Sequence, residues 1–224
     1  MTMVREICTR HGILLIFDEV MSGAGRSGKF LAADYWPQAR PDLVVLAKGI
    51  AAGYTPMGAV LASNDLVRTV ADHGGFMNGF TYSCNPLSCA VALAVLQQVQ
   101  GHALIDNAAV RGAQLADRLR TMGQTNRCVG DIRGHGLLLA LELVTDQETK
   151  ARVPIEMNAA AMVQRIGMQN GLALYHRRTA YGQHGDWLMI APPLTITPDQ
   201  VNELADTLAL TLHQFQQDLN AAGV

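Results

Sequence analysis

The chain has 224 residues, of which 49% are hydrophobic and 16% charged, and a net charge of −2. Those figures describe a globular chain of one or two domains and exclude an intrinsically disordered one. No long run of one sign marks a nucleic-acid or anionic-membrane surface, and no apolar stretch, the longest lying around Ala90 to Leu96, is long enough to span a bilayer. In chain order, Val4 to Arg10 reads as the end of a helix that His11-Gly12 stops. Met1 to Glu6 lacks the apolar core of a secretion signal. Cys8, Cys84, Cys89 and Cys128 form no CxxC pair, so neither a disulfide framework nor a metal site is expected. Reduced thiols and a cytoplasmic location are the expectation.

Ile13-Leu14-Leu15-Ile16-Phe17 and Leu43-Val44-Val45-Leu46-Ala47 are short continuous apolar runs, the pattern of strands buried in a parallel sheet. The first ends on Asp18-Glu19 and the second on Lys48. Ligands of such sheets bind beyond the carboxyl ends of the strands. Asp18 and Lys48 are therefore expected at one edge of one sheet. Between the two runs lies the glycine-rich turn Gly23 to Gly28. With Lys29 it fits most of a phosphate-binding P-loop, and Asp18-Glu19 fits a Walker-B strand. Phe30 occupies the place of the magnesium-binding Ser or Thr, however, and no strand of its own leads into the loop. Both features count against a nucleotide-hydrolysing enzyme.

Tyr35 to Asp42 is a loop broken by two prolines. Gly58 to Ala62 reads as a further strand, and Asn64 as the cap of a short helix from Asp65 to Ala71. After a loop at His73 to Phe76, Asn85 caps a helix whose first residue is Pro86. The hydroxyls of Thr81, Tyr82 and Ser83 precede that helix start; they suit an anion, or are an ordinary polar loop. Leu115, Leu119 and Met122 share one face of a helix that Gly123 is expected to end. Val129 to Val144 reads as one strand with glycines at its start. A helix is expected over Ile155 to Gln169, with strands at Leu172–Tyr175 and Trp187–Ile190. Thr197-Pro198-Asp199-Gln200 is a capping box opening a last helix that buries Val201, Leu204, Leu208 and Phe215. The layout divides into residues 1–97, a strand-and-helix piece, and residues 98–224, an α+β domain.

The stretches FDEVMSGAGRSGKF, DLVVLAKGIAAGYTPMGAV and GFTYSCNPLSCA, followed by VGDIRGHGLLLALEL and GDWLMIAPPLTIT, resemble the class III aminotransferases. The resemblance extends over essentially the whole chain. It implies an α/β fold of the fold-type I pyridoxal-phosphate transferases. Residues 1–97 would be the second half of the large-domain mixed sheet, and residues 98–224 the C-terminal small α+β domain. It implies pyridoxal 5'-phosphate as cofactor, with Lys48 forming the Schiff base and shuttling the proton. Asp18 would pair with the pyridine nitrogen, Val20 would pack on the ring, facing as Asp18 does two residues on, and Thr81 would bind the phosphate across a dimer. The reaction implied is a ping-pong transfer of an amino group from an amine or amino acid to a keto acid or aldehyde. Gly53-Tyr54-Thr55-Pro56 leans toward the omega-type members.

Three positions depart from the family. Met21 stands where many relatives carry a polar residue, and Cys84-Asn85 replace a Gly-His pair. The substrate-carboxylate arginine has no certain equivalent; Arg177 and Arg178 lie in the right region, where they would form a fork around a carboxylate. The chain also resembles only the second half of the family. An obligate partner chain carrying the first half is therefore expected, two copies of each rebuilding a dimer. An aminomutase or racemase on the same scaffold remains open, as does a non-catalytic remnant or assembly module.

Overall fold

Helix α1 (Thr2–Arg10) ends in a reciprocal backbone lock. Gly12 takes φ 63°, its N–H donates to Thr9 O at 3.3 Å, and Ile13 N–H donates to Cys8 O at 2.8 Å. A glycine fits because this left-handed position penalises any Cβ. The lock turns the chain into β1 (Ile16–Asp18). The computed structural model describes all residues, 1–224.

Strand β1 is shorter than its apolar run, because Ile13 and Leu14 precede the pairing and lie exposed. It pairs in parallel with β2 (Leu43–Ala47), in the register Ile16↔Leu43, Phe17↔Val44 and Asp18↔Val45. β2 pairs antiparallel with β3 (Gly58–Ala62), Val45 facing Val60 and Ala47 facing Gly58. The three form a sheet in the order β1-β2-β3. The β1–β2 crossover, residues 19–42, holds no α-helix, only 3-10 turns at Ala32–Tyr35 and Pro37–Ala39. It also holds the glycine-rich turn, which packs Ala24 against Val44, Leu46 and Ile50. Gly23 has to be glycine, since a Cβ there would lie 2.5 Å from a Leu46 methyl and 2.8 Å from Glu19 O.

Helix α2 (Asn64–Asp72) is capped by Ser63, whose Oγ accepts from Leu66 N–H, and not by Asn64; β3 ends at Ala62 as expected, and the helix begins one residue earlier than expected. Asn85 does cap α3 (Pro86–Gly101), its Oδ1 accepting from Leu87 and Ser88 N–H. α3 is apolar on all sides yet buries only Ala92 and Val99, leaving Leu87 and Leu93 exposed. The chain divides into two compact units, Met1–Asp106 and Asn107–Val224. The division falls in the first turn of the helix that follows α3.

The second unit is built on α4 (Leu104–Thr125), which runs two residues past Gly123. The expected single strand at 129–144 is a hairpin, β4 (Val129–His135) and β5 (Leu138–Leu143). Gly136, at φ 55°, supplies the turn that apolar periodicity does not register. Helix α5 (Ala159–Gln169) begins later than expected, after Asn158 at φ 52° breaks the run begun at Ile155. β6 (Tyr175–Arg178) starts where its expected span ended, and β7 is Asp186–Ile190. The sheet order is β4-β5-β7-β6, all antiparallel. Helix α6 (Pro198–Ala221) opens on the expected capping box and buries Val201, Leu208 and Phe215, while Leu204 is only partly buried. No single helix is long and apolar enough to cross a membrane.

Candidate active site

Because β1 and β2 run parallel with Asp18 opposite Val45, both strands end at the same edge of the sheet, one on Asp18 and the other leading into Lys48. Asp18 is exposed, and its Oδ1 accepts from Val20 N–H at 3.0 Å. The strand stops there. Val20 lies in the turn that follows, so strand alternation does not set its direction as the sequence reading assumed. Glu19, by contrast, is only 2% exposed. One oxygen accepts from Ser22 Oγ and Ala32 N–H at 2.7 and 2.9 Å, the other from Ala33 N–H at 2.6 Å. The two adjacent acids thus divide their work: Asp18 faces solvent, and Glu19 anchors the crossover.

Lys48 opens a short 3-10 turn with φ 45°, a left-handed conformation that a lysine adopts at a cost of order 1–3 kcal/mol. Its side chain is exposed and pairs with no acid of the chain. Next to it, Gly58, the partner of Ala47, lines a cavity of about 690 Å³. Met57, Val60, Phe80, Tyr82 and Ser88 contribute to the same wall. Thr55 Oγ1 and Ser88 Oγ lie 2.8 Å apart and tie the loop after Lys48 to α3, a link with no signature in the sequence. Thr81 sits exposed in the loop before α3. Asp42 stands behind this edge. Its Oδ2 accepts from Arg5 Nη1 and from Leu15 N–H, both at 2.7 Å, and these bonds, the arginine's first, hold its carboxyl below the usual range.

In the second unit, Arg177 and Arg178 are neighbours on β6. Successive strand residues point to opposite faces, so the two cannot form one fork. Arg178 donates Nε to Asp186 Oδ1 at 2.9 Å, and Asp186 is only 3% exposed. A second nitrogen reaches Ile155 O. Arg178 is thus a structural tie. Arg177 stays exposed, its guanidinium 5.3 Å from the Tyr175 ring centre and its Nε donating to Tyr175 Oη at 2.7 Å. Tyr175 was missed in the sequence; the Tyr-x-Arg spacing, two residues apart on one strand face, is the signal that would have found it.

A short parallel pair ending on an acid and a lysine, an antiparallel third strand and a separate α+β unit define the second half of a fold-type I pyridoxal-phosphate transferase. The family described as "Aminotransferase class-III" matches residues 1–212, and the chain belongs to it. Among its relatives is an uncharacterized aminotransferase, YodT, of Bacillus subtilis, 37% identical over 96% of this chain and 48% of that one. The putrescine–pyruvate aminotransferase of Pseudomonas aeruginosa is 34% identical over 99% and 45%. A transaminase from the marine bacterium Virgibacillus superposes with TM-score 0.90 at 32% identity, covering 96% of this chain and 48% of its own. The taurine:2-oxoglutarate aminotransferase of Bifidobacterium kashiwanohense, solved with pyridoxal phosphate and glutamate, gives TM-score 0.87 at 30% identity. The chain spans about half the length of the relatives it matches.

Proposed function

We propose that this chain is the lysine-bearing half of a pyridoxal-phosphate aminotransferase, which moves an amino group from an amine or amino acid to a keto acid or aldehyde. The observation that carries the reading is the shared sheet edge, where exposed Asp18 ends β1 and strained Lys48 follows β2. The residues fit the cofactor by their chemistry: an amine for its aldehyde, a carboxylate for its ring nitrogen, and Thr81 beside a helix start for its phosphate. When bound, pyridoxal phosphate supplies an electron sink for charge developing at the substrate's amine-bearing carbon.

The chain's own residues do the rest. The Asp18 carboxylate would hold the ring nitrogen in its protonated form. Lys48 Nζ would take the proton from the amine-bearing carbon of the donor as a positioned general base and, in the second half-reaction, deliver a proton to the corresponding carbon of the acceptor as a general acid. Val20 would pack on the ring. Thr81 serves the phosphate of a second copy. Arg177, kept at the surface by Tyr175, receives a substrate carboxylate; Arg178 does not. The two half-reactions run in ping-pong order.

The other half of the site is carried by a segment equivalent to the relatives' first half, on a partner chain, with two copies of each chain in the assembly. The free edge of β1 and the exposed Ile13, Leu14 and Ile16 support this, since parallel strands are ordinarily covered.

The test pairs the full chain with a segment spanning the first half of the Bacillus subtilis relative. Yellow colour that an amine donor bleaches, and a pyridoxyl mass fixed on Lys48 by borohydride, are the expected results. Absence of both in the assembled pair would favour a non-catalytic assembly module. Bleaching followed by product that is isomerised, not deaminated, would point to an aminomutase or racemase.

A further inference from the structure

The three-stranded sheet has two unequal faces. Phe17, Val44 and Leu61 are register partners on one of them, which Leu46, at 4% exposure, shares. The glycine-rich turn covers Val44 and Leu46 of this face through Ala24, while Leu61 stays 44% exposed. The opposite face carries two cross-strand rows, Ile16–Leu43–Ala62 and Asp18–Val45–Val60. Here Ile16 is 56% and Val60 62% exposed. In a parallel pair the crossover helix ordinarily covers such a face. This crossover contains no α-helix, and although Phe80, Tyr82 and Ser88 line a cavity with Val60, the rows of Ile16 and Val60 stay exposed. Apolar rows of this kind mark a surface that another element covers.

Resting on the reading above, we infer that this face seats a helix of the complementary segment, and that seating it dries Asp18, so that assembly and cofactor capture are linked. The length of the relatives argues for that occupant, since they carry as many residues again as the part this chain matches. Asp18 argues for the linkage. It lies in the same row as Val45 and Val60, at the end of the face, and is open to water. A carboxylate attracts a protonated ring nitrogen weakly in bulk water and far more strongly once water is excluded. The helix that covers Val60 therefore raises affinity for the cofactor, and by reciprocity the cofactor raises affinity for the helix.

The experiment uses the full chain with the first-half segment of the Bacillus subtilis relative, in wild type, Val60→Asp and Asp18→Asn forms. Association is measured by titration with and without pyridoxal phosphate, and cofactor affinity by absorbance at fixed and at saturating segment. Val60→Asp is expected to weaken association about tenfold or more, with a parallel loss of cofactor affinity that saturating segment restores. Asp18→Asn is expected to associate as wild type does but to lose the promotion by cofactor. Amide exchange on the wild-type chain gives a readout independent of any variant: residues 43–47 and 58–62 slow when the segment is added. Unchanged association of Val60→Asp together with unslowed exchange there would overturn the seat. Weakened association with cofactor affinity intact would overturn the linkage. A wild-type pair that assembles and protects 43–47 but takes up no pyridoxal phosphate would sink the aminotransferase reading while supporting the seat.

Discussion

Single side chains divide into those the fold consumes and those it leaves available. Glu19 is consumed: buried, it satisfies Ser22, Ala32 N–H and Ala33 N–H. Glu19→Ala would strand two backbone donors, and we expect a loss of about 3 kcal/mol in denaturant unfolding. Glu19→Gln should lose clearly less. Lys48 and Asp18 are available, without ion-pair partners in the chain. Lys48→Ala should abolish turnover and borohydride-fixed label while the chain still assembles. For the arginines the two variants should part company. Arg178→Ala leaves Asp186 buried and unpaired, so stability falls by about 3 kcal/mol with little change in substrate preference. Arg177→Ala should leave the melting temperature in place and raise KM for carboxylate-bearing substrates over plain amines. In the sequence the acid–lysine pair was legible because strand ends carry chemistry in parallel sheets. The roles of Glu19 and Arg178 were not, because burial of one residue beside an exposed neighbour leaves no mark in composition.

Among the elements, those with local signals were readable: β2 and β3 at their full spans, the stop at Gly12, the caps at Asn85 and Thr197. The misread ones depend on backbone conformations that periodicity cannot report, as at the Gly136 hairpin turn and Asn158 before α5. Gly112 shows how strongly such contacts bind. It lies inside α4, where alanine is ordinarily the better helix former. Here a Cβ would come within 2.2 Å of the Gly136 backbone. Gly112→Ala should therefore destabilise the second unit by about 2 kcal/mol, and an ordinary gain in stability would show that the hairpin turn yields. In the first unit, the tie of α1 to the sheet gives a pH dependence of known sign. Asp42 is held below the usual carboxylate range by Arg5 and Leu15 N–H, so its contribution is present above the free carboxylate's pKa and is lost as pH falls through the lowered value. Asp42→Asn should lower the denaturation midpoint at neutral pH and remove part of its decline in acid.

Over the whole molecule, the two units differ in how completely they close. The second buries Leu115, Leu141, Leu188 and Phe215 with no exposure in one continuous core. The first buries a cluster of Ala24, Val44, Leu46 and Ile50, and leaves Ile16, Val60, Leu87 and Leu93 in water. Since apolar burial is the main source of stability, the first unit is expected to be much the weaker in the chain alone. Scanning calorimetry of the full chain should then show two transitions. The lower belongs to the unit holding Asp18 and Lys48. Adding the complementary segment and pyridoxal phosphate should raise only that transition, by an amount that grows with the logarithm of ligand concentration. The upper should stay where it is, because nothing that binds the sheet edge adds to a core already closed. A single transition that the segment leaves unmoved would mean that the small cluster suffices. The exposed rows of the first sheet would then need another explanation than a missing half.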